Sequence, residues 1–203
     1  MNIGVLGGTF DPIHFGHLGL AEEARARLEL AEVLFVPTGQ PWLKVNTSIS
    51  AVAHRVEMVR LAIADKLYFK LSNVEIERAG SSYTVDTIAQ LQTQFGTGNE
   101  FFFIVGWDSL AELPRWREPS RLIRMCHLVV APRPGYPYPD LNYLDSLIPG
   151  ISQLVTMLDK PEIDISASDI RSRVARGLSI CHLVPKPVER YIKQHKLYIG
   201  SEP

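Results

Sequence analysis

Long hydrophobic runs are missing from this sequence. Apolar residues make up 46% of its 203 positions, yet no stretch approaches the roughly 20 consecutive apolar residues that a membrane-spanning helix needs. Ordinary globular composition remains. Cysteine is scarce: Cys126 and Cys181 lie far apart among apolar neighbours, with no C-x-x-C partner. They read as two reduced thiols rather than a disulfide framework. An excess of one charge is also absent, since 21 Lys and Arg face 22 Asp and Glu for a formal net charge of −1. No global field draws nucleic acid or an anionic membrane, so neither is expected as a partner, and any anionic ligand must be held by local groups. Finally, Met1 is followed at once by strand-like sequence, with no basic region, signal-like apolar run or small-residue cleavage site. This predicts a cytoplasmic protein.

The length suits one well-buried core and leaves a second full domain cramped. Short apolar runs at Ile3–Leu6, Val33–Val36, Phe101–Val105 and Leu128–Ala131, with weaker ones at Tyr68–Ile76 and Leu154–Leu158, read as strands. Between them, helical spacing marks Gly16–Leu28, Ala51–Asp65, Thr84–Phe95, Ser168–Arg176 and Val188–His195. This alternation predicts an α/β fold of the Rossmann-like, doubly wound kind: a parallel sheet with helices on both faces, in a single domain over 1–203 with a small helical part from about 166. In the second helix Val52, Val56, Val59 and Ile63 make one expected buried stripe. The segment PRPGYPYPD, residues 132–140, has four prolines in nine residues and is expected to be a surface excursion. A homo-oligomer stays open.

The chemistry begins at GGTFDPIHFGH, residues 7–17. In an open parallel sheet, ligands bind beyond the carboxyl ends of the strands, where helix N-termini present amides to anions. Gly7 and Gly8 end the first strand without Cβ atoms, and Thr9 adds a hydroxyl donor. Two glycines alone would equally make a tight turn. His14 and His17, three apart at a helix entrance, tip the reading to a phosphate site, because imidazoles donate to phosphate oxygens. A metal site from Asp11, His14 and His17 is the rival, without an H-E-x-x-H arrangement. Neither G-x-G-x-x-G nor G-K-[ST] occurs, so a dehydrogenase and a P-loop enzyme are both unsupported.

Near the other end, DISASDIRSRVARG opens a helix whose inner face carries Ile170 and Val174. Ser166 and Asp169 have capping-box spacing, which accounts for both. It does not account for Arg171. An arginine in the first turns opposes the helix dipole, a cost that becomes sensible if an anion sits there. In the middle of the chain, GSSYTVDT (80–87) puts Ser82, Tyr83 and Thr84 at a helix start. Free amides there suit a carboxylate, and a helix capped by Thr84 or Ser82 is equally consistent.

GGTFDPIHFGHL resembles the signature of the two-histidine HxGH nucleotidyltransferase superfamily, and its GGTFDP form is similar to the bacterial nicotinate mononucleotide adenylyltransferases. ISASDIR resembles that family's ISSTxIR motif, with Ala167 and Ser168 where Ser and Thr are usual. GSSYTVDT, FFFIVGWDSLAELPRW (101–116) and VPTGQPWLK also match, so the likeness spans nearly the whole chain. In the last of these, Trp42 and Leu43 replace the proline and histidine of the family's PPHK loop.

The resemblance implies transfer of AMP from ATP to nicotinate mononucleotide, giving nicotinate adenine dinucleotide and pyrophosphate, with Mg²⁺ carried on the phosphates and no protein-bound metal. It implies catalytic roles for His14, His17, Lys44 and Arg171. It implies ATP contacts at Gly7, Gly8, Thr9, Phe10, His14, His17, Gly106, Asp108, Ser166, Ser168, Ile170 and Arg171. The mononucleotide would meet Ser82, Tyr83, Thr84, Asp108 and Trp116, the last as a flat face for the pyridine ring. The alternatives are a sister enzyme using nicotinamide mononucleotide or both acceptors, one using phosphopantetheine, and a nucleotide-sensing module without catalysis.

Overall fold

The computed structural model describes residues 1–40, 49–96, 98–160 and 164–199. Among them, six strands form one parallel sheet: β1 (Asn2–Gly8), β2 (Glu32–Pro37), β3 (Phe69–Leu71), β4 (Glu100–Gly106), β5 (His127–Ala131) and β6 (Val155–Met157), in the order β3-β2-β1-β4-β5-β6. The helices are α1 (Phe15–Leu28), α2 (Val52–Ala62), α3 (Thr84–Phe95), α4 (Trp107–Ala111), α5 (Pro119–Met125), α6 (Leu141–Leu147), α7 (Ala167–Ala175) and α8 (Lys186–Gln194). None is long and apolar enough to cross a membrane.

The strands are nearly continuous apolar runs because both faces of the sheet are covered. Side chains alternate between the two cores. Ile3, Val5, Leu34, Val36, Phe103 and Val130 pack with Ile88 and Leu91 of α3 and Leu122 of α5. Leu6, Val33, Phe35, Ile104 and Val129 pack on the opposite face with residues of α1, α2, α7 and α8, including Ile170, Val188 and Ile192.

The chain leaves β1 toward β2 and β3, then returns to β4 on its other side, so the strand order reverses between β1 and β4. Crevices open at such a point. Leu6 pairs with Ile104 across this boundary, which brings Gly8 and Gly106, the last residues of their strands, to the same level.

Several expectations change. The candidate strands at Tyr68–Ile76 and Leu154–Leu158 shrink to three residues each. Helix α2 and its C-cap bury Val59 and Ile63 of the expected stripe but turn Arg55, Met58 and Ala62 inward as well, while Val52 and Val56 stay half-buried. The cause is Arg55, whose guanidinium is drawn into the protein by three backbone carbonyls. The proline-rich segment is largely exposed and leads into α6, which Asp140 caps by accepting from the Asn142 and Tyr143 amides. Helices α4, α5 and α6 are too short to show helical periodicity in the sequence. Cys126 is buried, which pushes its thiol up to about 12, and Cys181 is exposed.

Candidate active site

Beyond β1 the backbone turns sharply. Phe10 takes a left-handed φ of 50° with its ring buried against Phe35 and edge-on to His17. Burial through β1 ends at Gly7, which is exposed, while Gly8 and Thr9 are half-buried. Helix α1 then starts with His14 as its extended N-cap. The His14 backbone N–H donates to Nδ1 of His17 at 3.3 Å. With Nδ1 accepting, neutral His17 carries its proton on Nε2. The two imidazoles stack with centroids 3.7 Å apart. His14 is 6% exposed and its Nδ1 is buried without a hydrogen-bond partner. Burial first, and the nearby Arg133 cation second, lower its pKa from 6.5 to about 4, so it is neutral near pH 7.

Asp11 is the hub of this corner. Its carboxylate, 3% exposed, accepts from the Ser50 amide at 3.0 Å and from the Tyr198 hydroxyl at 2.7 Å. Both oxygens are thus engaged inside the protein, which argues against the metal reading of Asp11, His14 and His17. Its backbone carbonyl accepts from Nη1 of Arg171 at 2.8 Å. Beneath it, Arg55, 2% exposed, donates to the carbonyls of Thr9 (2.8 Å), Thr38 (2.8 Å) and Ser50 (3.1 Å). One buried cation thereby ties the carboxyl ends of β1 and β2 to the start of α2.

Helix α7 delivers Arg171 to this corner. Ser166 caps it by accepting from the Asp169 amide at 3.0 Å, and the Ser168 hydroxyl accepts from Nη2 of Arg171 at 3.3 Å. Ile170, expected at ATP, is fully buried in the core, and its amide donates to Ser166 O within the helix. Its side chain supports the helix instead of lining the crevice. Lys44, with Trp42 and Leu43, lies outside the described residues.

On the other side of the crevice, β4 ends at Gly106 and α4 follows. A Cβ on Gly106 would lie 2.5 Å from Oδ1 of Asp108, so only glycine admits this carboxylate placement. Asp108 Oδ2 accepts from Nη1 of Arg133 at 2.8 Å, while its Oδ1 is buried without a partner. The Trp107 and Trp116 indole nitrogens are likewise buried and unpaired. Buried polar groups are normally satisfied; Asp108 Oδ1 and His14 Nδ1, just beyond the carboxyl ends of β4 and β1, keep capacity for a polar ligand, while Arg25 Nε on α1 is also without a partner. Trp116 is half-buried, edge-on to Phe103. At the start of α3, Tyr83 is the N-cap and makes no side-chain cap. Neither Ser82 nor Thr84 caps it. Ser82, 7% exposed, accepts from the Gly39 and Gln40 amides and so fixes the end of β2. Its hydroxyl is spent on the fold, and Tyr83 and Thr84 remain half-exposed beside the crevice.

The cytidylyltransferase-like family model matches residues 5–173. The chain is 50% identical over 198 residues, 98% of its length and 97% of the relative's, to the probable nicotinate-nucleotide adenylyltransferase of Dehalococcoides mccartyi strain CBDB1. A Roseiflexus protein of the same name is 44% identical over 97% of each chain. The chain belongs to the nicotinate-nucleotide adenylyltransferase family. Its fold matches that of the Plasmodium falciparum nicotinic acid mononucleotide adenylyltransferase complexed with NaAD, with a TM-score of 0.78, 20% identity and 97% of each chain covered.

Sequence reasoning missed three residues at this adenylyltransferase crevice. Arg55 could have been found by phasing α2 on 55, 58, 59 and 62. Arg133 follows β5 directly, at the same carboxyl edge as the residues that were noticed. Tyr198 had no local signal.

Proposed function

We propose that this chain transfers the adenylyl group of ATP to the phosphate of nicotinate mononucleotide, forming nicotinate adenine dinucleotide and releasing pyrophosphate. The relatives at 50% and 44% identity carry the name of that activity. The observation that carries the reading is the convergence of Arg171 on the Asp11 carbonyl, between the diglycine and the two-histidine helix entrance, although 160 residues separate them.

The triphosphate lies across the β1 end. An oxygen of the acceptor phosphate attacks the α-phosphorus in line, and the bond to the bridging oxygen of pyrophosphate breaks. Catalysis of this kind rests on positioning and on donors aimed at developing charge. His17, with its proton on Nε2, and His14 meet the α-phosphoryl oxygens. Arg171 and Lys44 hold the β- and γ-phosphates. The cations Arg133 and Arg171 approach the crevice from its two sides, which suits two anionic substrates.

Magnesium enters as MgATP.

On the acceptor side, Asp108 receives ribose hydroxyls, Trp116 offers its face to the pyridine ring, and the uncapped start of α3 at Tyr83 and Thr84 offers amides to the ring carboxylate. A carboxylate gains from that helix dipole where a neutral amide does not. The test is pyrophosphate release with MgATP and either nicotinate or nicotinamide mononucleotide. Strong preference for the acid is expected. Equal rates contradict the assignment at α3, and release with neither overturns the substrate.

A further inference from the structure

We infer that Tyr198 is a positioning residue for the ATP half of the reaction: its hydroxyl fixes Asp11, and Asp11 in turn fixes Arg171 against the histidine loop. The inference rests on the functional reading above for the role of Arg171. Tyr198 follows α8 and lies far in sequence from every nucleotide-binding motif, yet its O–H reaches the Asp11 carboxylate at 2.7 Å.

The contact is selective in its chemistry. Burial, together with the Asp11 carboxylate beside it, raises the phenol pKa well above its ordinary range, so Tyr198 stays a donor at every working pH. Tyr198 is 9% exposed, and besides Asp11 its hydroxyl lies 4.0 Å from the Met58 Sδ. Asp11 has two carboxylate oxygens and one carbonyl, and each has its own partner: Tyr198, Ser50 and Arg171. Remove the phenol hydroxyl and one oxygen of a buried carboxylate loses its donor. The cheapest relief is rotation of the side chain, which disturbs the Ser50 contact and tilts the peptide whose carbonyl receives Arg171.

The backbone supports the same conclusion from a second direction. Tyr198 has φ 65° and Phe10, the residue before Asp11, has φ 50°. Bulky residues rarely occupy the left-handed region and persist there only where the surroundings hold them. Two such residues flank a single hydrogen bond, one at its donor and one beside its acceptor. Trp116 and Tyr83, on the acceptor side of the crevice, take no part in these contacts. The effect should therefore be confined to ATP.

Tyr198→Phe keeps the ring and removes only the hydroxyl, and Asp11→Asn reads the same link from the acceptor, so either folded variant decides. ATP affinity, measured by calorimetry without acceptor, is expected to fall about fivefold or more in each. The KM for the mononucleotide should stay within about twofold, and the double variant should bind ATP no worse than Asp11→Asn alone. ATP affinity of Tyr198→Phe within about twofold of the parent overturns the inference, even if its thermal midpoint falls. An equal loss toward both substrates also overturns it, as general loosening. A parent that binds ATP but makes no dinucleotide overturns the functional reading alone, since the affinity comparison needs no acceptor.

Discussion

Replacing His14 with glutamine should flatten the acid side of the stability profile. In the folded protein His14 has a pKa of about 4 against an ordinary 6.5, chiefly because burial disfavours the imidazolium and secondarily because Arg133 repels it. Between those values the unfolded chain binds a proton that the folded chain refuses, so folding stability rises with pH across the window. The contribution is fully present above 6.5 and is lost as pH falls toward 4. The whole difference corresponds to about 3 kcal/mol, of which about 2 kcal/mol is lost between pH ~7 and ~5. The assay is urea unfolding of parent and His14→Gln at those two pH values. The parent should lose about 2 kcal/mol more than the variant, other titrating groups being common to both. Equal losses would refute the claim that His14 is held neutral by its burial, and with it the tuning of the histidine pair.

Three other outcomes are expected. His17→Ala should lower turnover by about 10²–10³ with little change in the KM for the mononucleotide, measured by pyrophosphate release; a loss of only a few fold would remove His17 from the transition state. Gly106→Ala forces a Cβ to within 2.5 Å of Asp108 Oδ1, so steady-state kinetics should show the mononucleotide KM rising about tenfold. Arg55→Met strips donors from the carbonyls of Thr9, Thr38 and Ser50, and chemical denaturation should show a loss of about 3–5 kcal/mol.

The sheet was legible because its strands are buried on both faces and therefore write themselves as apolar runs between turn signals. The diglycine, the histidine pair and Asp108 were legible because they sit where strands end, which is where a parallel sheet exposes amides. What hid from the sequence was polar and interior. Arg55 broke the apparent stripe of α2, since periodicity counts apolar residues and reads an arginine as solvent-facing. Ser82 looked like a cap or a ligand contact, and its hydroxyl instead ties β2 to the start of α3. Tyr198 was invisible because its partner lies 187 residues away. Ile170 sat inside a binding motif, yet its spacing with Val174 already marked it as core.

The most direct test follows the α-phosphorus itself. ATP labelled at the α-phosphate, incubated with this chain, Mg²⁺ and nicotinate mononucleotide, should pass its label into a dinucleotide, while a γ-label leaves in pyrophosphate. An α-label that stays with ATP, or appears only in AMP with acceptor present, would contradict the account.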